Sequence, residues 1–331
     1  MTTVRRRRLL PVLALAVSVA GCSQQAASPG HAHQESSPGA AASQHPSSQH
    51  PSQGPSQGPS QGPSQGASPV RSGPVTKLLV LVVENHSLEQ MRTQMPYTFG
   101  LARRFGYADD YVGVGYPSLP NYLAISGGTT AGVTNDGPPA EHPLTGRSVF
   151  GEAIAAGRTA AVYADGMPTS CALEDGGHDY AVKHNPWAYY RSERDLCLAH
   201  DVPVSRLPAA VARGALPNAG LVVPNMCHDA HDCDLSVADR WIERQMKEVL
   251  AGPDWRSGHL AVVITADTDD RHSGNRVLTV VVHPSQRGNL VSRHLDHYSL
   301  SRLYSDVLQV PRLEHAASAP SMSKAFGLPL G

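Results

Sequence analysis

Two uninterrupted apolar runs set the terms for what this chain can fold into. Leu78 to Val83 is followed at once by Glu84 and Asn85, and Leu260 to Ile264 by Thr265, Ala266 and Asp267. Each run has the length of a strand and neither alternates with polar residues, so both faces of each strand must be covered, as in a parallel sheet. Further short runs, Ala160 to Ala164, Leu221 to Val223 and Val277 to Val282, are separated by stretches of helical spacing at 147–156, 237–250 and 300–308. The alternation predicts an α/β fold, a mostly parallel sheet with helices on both faces. Open sheets of this kind carry their chemistry just beyond the carboxyl ends of the strands, where Glu84, Asn85 and Asp267 fall. A Pro-Ser-Leu-Pro-Asn-Tyr segment, read as a turn, adds the hydroxyl of Ser118.

Ahead of this domain, 75–331, the chain changes character. Arg5 to Arg8 precede an apolar stretch, Leu9 to Ala20, too short to span a bilayer as a mature helix, and Val19-Ala20-Gly21-Cys22 closes it. The pattern resembles the lipobox of bacterial lipoproteins. Residues 1–21 then form a cleaved leader and Cys22 becomes the lipidated terminus, fixing the protein to the outer face of the cytoplasmic membrane; an ordinary cleaved signal and a secreted product is the alternative. The arginine cluster leaves twin-arginine export open beside the general route. Residues 22–74 are dominated by Ser, Pro, Gln, Gly, Ala and His, with Pro-Ser-Gln-Gly in tandem repeat, and nothing there offsets the entropy of ordering it. The segment reads as a tether.

Charge and cysteines narrow the function classes. Without the four leader arginines the 27 basic residues become 23 against 28 acidic ones, a balance of about −5 that argues against nucleic acid as a partner. No feature points to a protein partner. Cys171, Cys197, Cys227 and Cys233 fall as two local pairs, and in an exported chain an even count reads as disulfides, although four cysteines allow three pairings. Zinc held by thiolates is the competing reading, disfavoured because no Cys-x-x-Cys spacing occurs.

Five segments then carry a family resemblance. Glu84-Asn85-His86-Ser87 resembles the opening signature of the bacterial phosphoesterase family, which includes secreted acid phosphatases and phospholipases C within the alkaline phosphatase-like superfamily. Pro117 to Ala124 is similar to that family's nucleophile turn, and Tyr180 to Trp187, with Lys183 and His184, to its Lys-His-x-Pro segment. Pro224-Asn225, Asp229 and His231-Asp232 resemble a fourth segment, and His297-Tyr298 a late His-Tyr pair. The resemblance implies a three-layer αβα sandwich and hydrolysis of phosphate esters through a phosphoserine on Ser118. One position departs: the family's two adjacent acids are here Asp267-Thr268, with Asp269 a candidate substitute.

The residues themselves suit that chemistry. A phosphate ester repels nucleophiles, so a catalyst must neutralise its oxygens, activate an attacking group and protonate the leaving group. A divalent ion on Glu84, Asn85 and Asp267, with Asp232 and His297 as further candidate ligands, would supply the first; calcium, magnesium, manganese and zinc all stay open. Asn121 is expected to hydrogen-bond a phosphoryl oxygen, and His231 and His184 to act in proton transfer or phosphate binding. Lys183, Asp229, Thr268 and Asp269 are secondary candidates. Other domain histidines, among them His142, His200, His259, His272, His283, His294 and His315, read as surface or structural residues. The leading expectation is an extracytoplasmic phosphomonoesterase acting on small organic phosphates or phosphoinositide-type head groups. A phospholipase C-like phosphodiesterase and a non-catalytic phosphate-binding lipoprotein are the alternatives.

Overall fold

The computed structural model describes residues 72–331. The leader, Cys22 and all but the end of the tether lie outside the described residues. Ten strands follow in order: β1 (Lys77–Val83), β2 (Gly106–Ala108), β3 (Tyr111–Val112), β4 (Ala160–Ala164), β5 (Asp201–Pro203), β6 (Ala219–Val223), β7 (Leu260–Ala266), β8 (Thr279–Val282), β9 (Asn289–Val291) and β10 (Leu295–Asp296). Eight of them form one sheet in the order β5-β4-β6-β1-β7-β8-β2-β9, and β3 pairs with β10 apart from it. The pairs around β1 are parallel; β8 runs antiparallel to both β7 and β2.

The two long apolar runs become the centre of the sheet. Every residue of β7 is buried, as is every residue of β1 except Lys77, because helices cover both faces. On one face lie the helices Ser118–Gly127, Val149–Ala155 and His297–Leu308; on the other, Pro96–Arg104, Leu207–Ala212, Leu235–Ala251 and Pro253–Arg256. Leu235, Ala238, Trp241, Ile242, Met246 and Val249 recur at three- to four-residue spacing and form the buried stripe of the longest helix. Asp239 on the same helix accepts from Thr98 N at 2.9 Å and Thr98 Oγ1 at 2.7 Å, tying it to its neighbour. This is a three-layer αβα sandwich. Among the described residues no helix is long and apolar enough to cross a membrane.

Two local expectations change. The Ser118 segment is the start of a ten-residue helix, Ser118–Gly127, and not a free turn. Prolines at 117 and 120 disguise it, yet a proline in the first helical turn breaks no intrahelical bond, and because all ten residues are buried no amphipathic period is left to read. The run beginning at Val277 enters the sheet only at Thr279, since Val277 N donates instead to Tyr111 O at 2.9 Å.

Candidate active site

Strand register creates the site. Val83 pairs with Ala266, and Asp267 N donates to Val83 O at 3.0 Å, so Glu84 and Asp267 leave the sheet side by side. From the other flank the loop after β6 returns to let Asp229 O accept from Glu84 N at 2.8 Å. Three carboxylates, each with 0 % exposure, thus meet at the carboxyl end of three adjacent strands. Asn85 adopts φ 53°, a left-handed conformation that asparagine tolerates well, and this turns its amide back into the cluster. Its N–H donates to Asp267 Oδ1 at 3.0 Å, its Nδ2 to Glu84 Oε2 at 2.9 Å, and its Oδ1 accepts from Thr268 Oγ1 at 2.9 Å. Thr268 therefore touches the cluster through Asn85.

Ser118 opens its helix against this group. Its Oγ donates to Glu84 Oε2 at 3.0 Å, and because Pro117 and Pro120 carry no N–H the helix start offers two backbone donors beside it, Ser118 N and Leu119 N. One of them, Leu119 N, is taken by Asp136 Oδ1 at 2.9 Å, while Asp136 Oδ2 pairs with Lys183 Nζ at 3.3 Å. Asp136 was not visible in the sequence: it sits in an Asn-Asp-Gly stretch that reads as an ordinary turn.

His184 lies behind this group, buried between two acids. Its Nε2 is 3.0 Å from Glu84 Oε1 and its Nδ1 3.1 Å from Asp229 Oδ2, and its ring stacks on Tyr122 with centroids 5.2 Å apart. Burial opposes the charged imidazole, but Glu84 and Asp229 outweigh it and raise the pKa to about 10. Burial likewise opposes the Glu84 carboxylate, and His184 outweighs it, holding Glu84 at about 2. Asp267 has no such partner, so burial and the Glu84 charge push its carboxyl well above the usual range; Asp229 is also raised, chiefly by burial. His184 therefore orders the acids from behind.

His231 faces the open side. Asn85, Pro117, Ser118, Asp136, Lys183, His231, Asp269, Asp270 and Arg271 line one cleft of about 350 Å³. His231 N donates to Asp229 Oδ1 at 2.8 Å and its Nδ1 lies 2.6 Å from Asp232 Oδ1, an arrangement that fixes the ring and leaves Nε2 free. A larger hollow of about 870 Å³, lined by Asp306, Arg312 and Lys324 among others, contains none of these groups.

Four expected roles change. Asn121 has no donor left for a phosphoryl oxygen: its Nδ2 donates to Gly115 O and Pro117 O at 2.9 and 2.8 Å, and its Oδ1 accepts from Val114 N and Gly115 N at 2.8 and 3.3 Å. It clamps the loop that presents Ser118. His297 has no ring nitrogen free for a metal, since Nε2 meets Asp267 O at 2.6 Å and Nδ1 meets Tyr111 OH at 3.0 Å. Burial holds it neutral, with a pKa lowered to about 4. Asp232 is 60 % exposed and turned to His231, away from the buried acids. The Asp269 carboxylate accepts from the Tyr116 hydroxyl and from Arg271 N, Ser273 N and Asn275 N at 2.7, 2.6 and 2.9 Å, so it cannot stand in for the missing second acid.

The cysteines pair as Cys171–Cys197 and Cys227–Cys233. Cys171, Cys197 and Asp201 lie within ligand distance of one another, but the sulfurs are bonded to each other and offer no thiolate. The acid cluster at Glu84, Asp229 and Asp267 fits a hard cation better. Glu84 Oε1 and Asp229 Oδ2 meet only the His184 ring, Asp267 Oδ2 has no hydrogen-bond partner, and the three acids have only His184 and Lys183 to balance them. A buried carboxylate oxygen left without a partner, as Asp267 Oδ2 is, is costly unless a cation takes it, and one imidazolium does not offset three acids. With Asn85 and Ser118 the donor set is all oxygen, as calcium, magnesium or manganese prefers.

Comparison with known proteins agrees with this geometry. The model of the phosphoesterase family matches residues 81–311. The chain is 26 % identical over 253 residues to a phosphatidylinositol-3-phosphatase of Mycobacterium tuberculosis, covering 76 % of this chain and 82 % of the relative. It is 27 % identical over 231 residues to a phosphate-repressible acid phosphatase of Penicillium chrysogenum, covering 66 % of this chain and 52 % of that one, so it spans about half the length of the fungal relative. Among solved structures, a member of the alkaline phosphatase superfamily from Vibrio parahaemolyticus shares the fold with a TM-score of 0.53 at 8 % identity, over 78 % of this chain and 73 % of that one. The chain belongs to the phosphoesterase family and is a hydrolase of phosphate esters.

Proposed function

We propose that the protein is an extracytoplasmic, divalent-cation-dependent phosphomonoesterase that works through a phosphoserine on Ser118. The observation that carries this reading is the contact of Ser118 Oγ, at a helix N-terminus, with Glu84 beside the buried Asp267, whose Oδ2 has no partner. A carboxylate held at about 2 is too weak a base to take the serine proton efficiently, so Glu84 orients the hydroxyl. Glu84, Asn85 and Asp267 would hold the cation, which when bound neutralises phosphoryl charge and lowers the pKa of the serine hydroxyl.

In the first step Ser118 Oγ, having released its proton to solvent, forms a bond to phosphorus while the bond to the leaving oxygen breaks. His231 Nε2, held by Asp232 through Nδ1, donates a proton to that oxygen. In the second step the same nitrogen takes a proton from water, whose oxygen displaces Ser118 as the alkoxide and releases phosphate. Lys183 and the helix N-terminus offset the dianionic charge of a monoester. Two disulfides agree with an oxidising compartment. The mycobacterial relative named for phosphatidylinositol 3-phosphate makes phosphoinositide-type head groups a candidate substrate class. The test is hydrolysis of an aryl phosphate monoester beside its diester. A clear preference for the monoester is expected, and a preference for the diester would overturn the assignment.

A further inference from the structure

Arg271 stands apart from the other charged groups of the cleft. Lys183 is paired with Asp136, and Asp270 accepts from Gln90 Nε2 at 3.0 Å and His272 N at 3.3 Å. Arg271 lines the same cleft as Ser118, yet among the described residues no acid lies within ion-pair distance of its guanidinium. The group is nonetheless held. Its carbon sits 4.8 Å from the centre of the Tyr116 ring, a cation–π contact, and the Tyr116 hydroxyl is anchored on Asp269. The same Asp269 carboxylate accepts from Arg271 N at 2.7 Å, which pins the residue at φ 68°. A long side chain in that conformation costs about 1 kcal/mol, so the turn holds Arg271 against its own preference. The result is an exposed cation without an ion-pair partner, stacked on Tyr116 at the rim of the cleft. Such a charge attracts an anion, and a guanidinium offers paired donors to a carboxylate or phosphate.

Resting on the phosphomonoesterase reading, we propose that Arg271, presented by Tyr116 and Asp269, selects esters whose leaving group carries a second anionic group, a phosphate, phosphodiester or carboxylate, beside the scissile phosphate. It is a specificity residue; Ser118 and the buried acids act on the scissile group alone.

The test uses two aryl phosphates that differ only by a carboxylate on the ring, assayed with wild-type protein, Arg271→Gln, Arg271→Lys and Tyr116→Leu. The ratio of kcat/KM for the charged over the neutral ester should fall about tenfold in Arg271→Gln, through KM. It should fall less in Arg271→Lys and Tyr116→Leu, and added salt should erode it in the wild type. An unmoved ratio in Arg271→Gln, with both esters hydrolysed, would overturn the assignment of Arg271 alone. Hydrolysis of neither ester by the wild type would overturn the phosphatase reading and this inference together.

Discussion

Two buried acid centres in this molecule look alike in burial and differ in satisfaction. Glu193 accepts from Ser148 N at 2.9 Å, Ser148 Oγ at 2.5 Å and Trp187 Nε1 at 2.8 Å, so donors satisfy both its oxygens and fasten the start of the helix Val149–Ala155 to the later segment 186–193. Glu84, Asp229 and Asp267 are at least as buried, yet Glu84 and Asp229 share a single imidazole and Asp267 Oδ2 has no hydrogen-bond partner. A saturated buried acid is structural: it has no capacity left for a ligand. An unsaturated one persists only where something else takes its oxygens.

Substitution should separate the two centres, and the largest effect belongs to the cleft. Ser118→Ala should lower kcat by about a thousandfold or more while the thermal midpoint stays near that of the wild type. Activity within a few fold of wild type would remove Ser118 from the mechanism. Glu193→Ala should do the reverse. It strands the Trp187 N–H and the Ser148 donors, so stability should fall by about 3 kcal/mol in denaturant titration, with kcat of the folded fraction retained.

Asp201 lies between these extremes and sharpens the comparison through pH. Its Oδ2 accepts from Asn185 Nδ2 at 2.7 Å, its Oδ1 has no partner, and burial raises its pKa from 3.8 to about 7. Below pH 3.8 both folded and unfolded forms keep this proton. Between there and about pH 7 the unfolded chain releases it and the folded chain does not, so stability should decline by about 1.4 kcal/mol per pH unit from this group and level off above. Asp201→Asn should flatten that slope; an identical pH profile in the variant would show that Asp201 is not buried as a neutral acid.

Much of this could be read from the chain, and what was missed has physical causes. β1 and β7 were legible because they are long and apolar on both faces, and Glu84, Asn85 and Asp267 were legible because they end those strands. Strands of two or three residues, such as β3 and β10, are too short for a period to emerge. The roles of Asn121, His297 and Asp269 were misread for a different reason. A residue type with the right chemistry near the right strand end can serve as ligand or as scaffold, and only its hydrogen bonds distinguish the two. Asp136 and Tyr116 reach the site from loops whose sequences carry turn signals alone.

The central claim is that Glu84 and Asp267, whose Oδ2 has no partner, form a cation seat. The most direct measurement strips the protein with chelator and then titrates calcium, magnesium, manganese or zinc while following monoester hydrolysis and the thermal midpoint. Chelation should abolish turnover, and one of these ions should restore it and raise the midpoint, by about 2.7 kcal/mol of added stability at a hundredfold excess over its Kd. Full turnover in metal-free protein, with a midpoint that no divalent ion moves, would contradict the account.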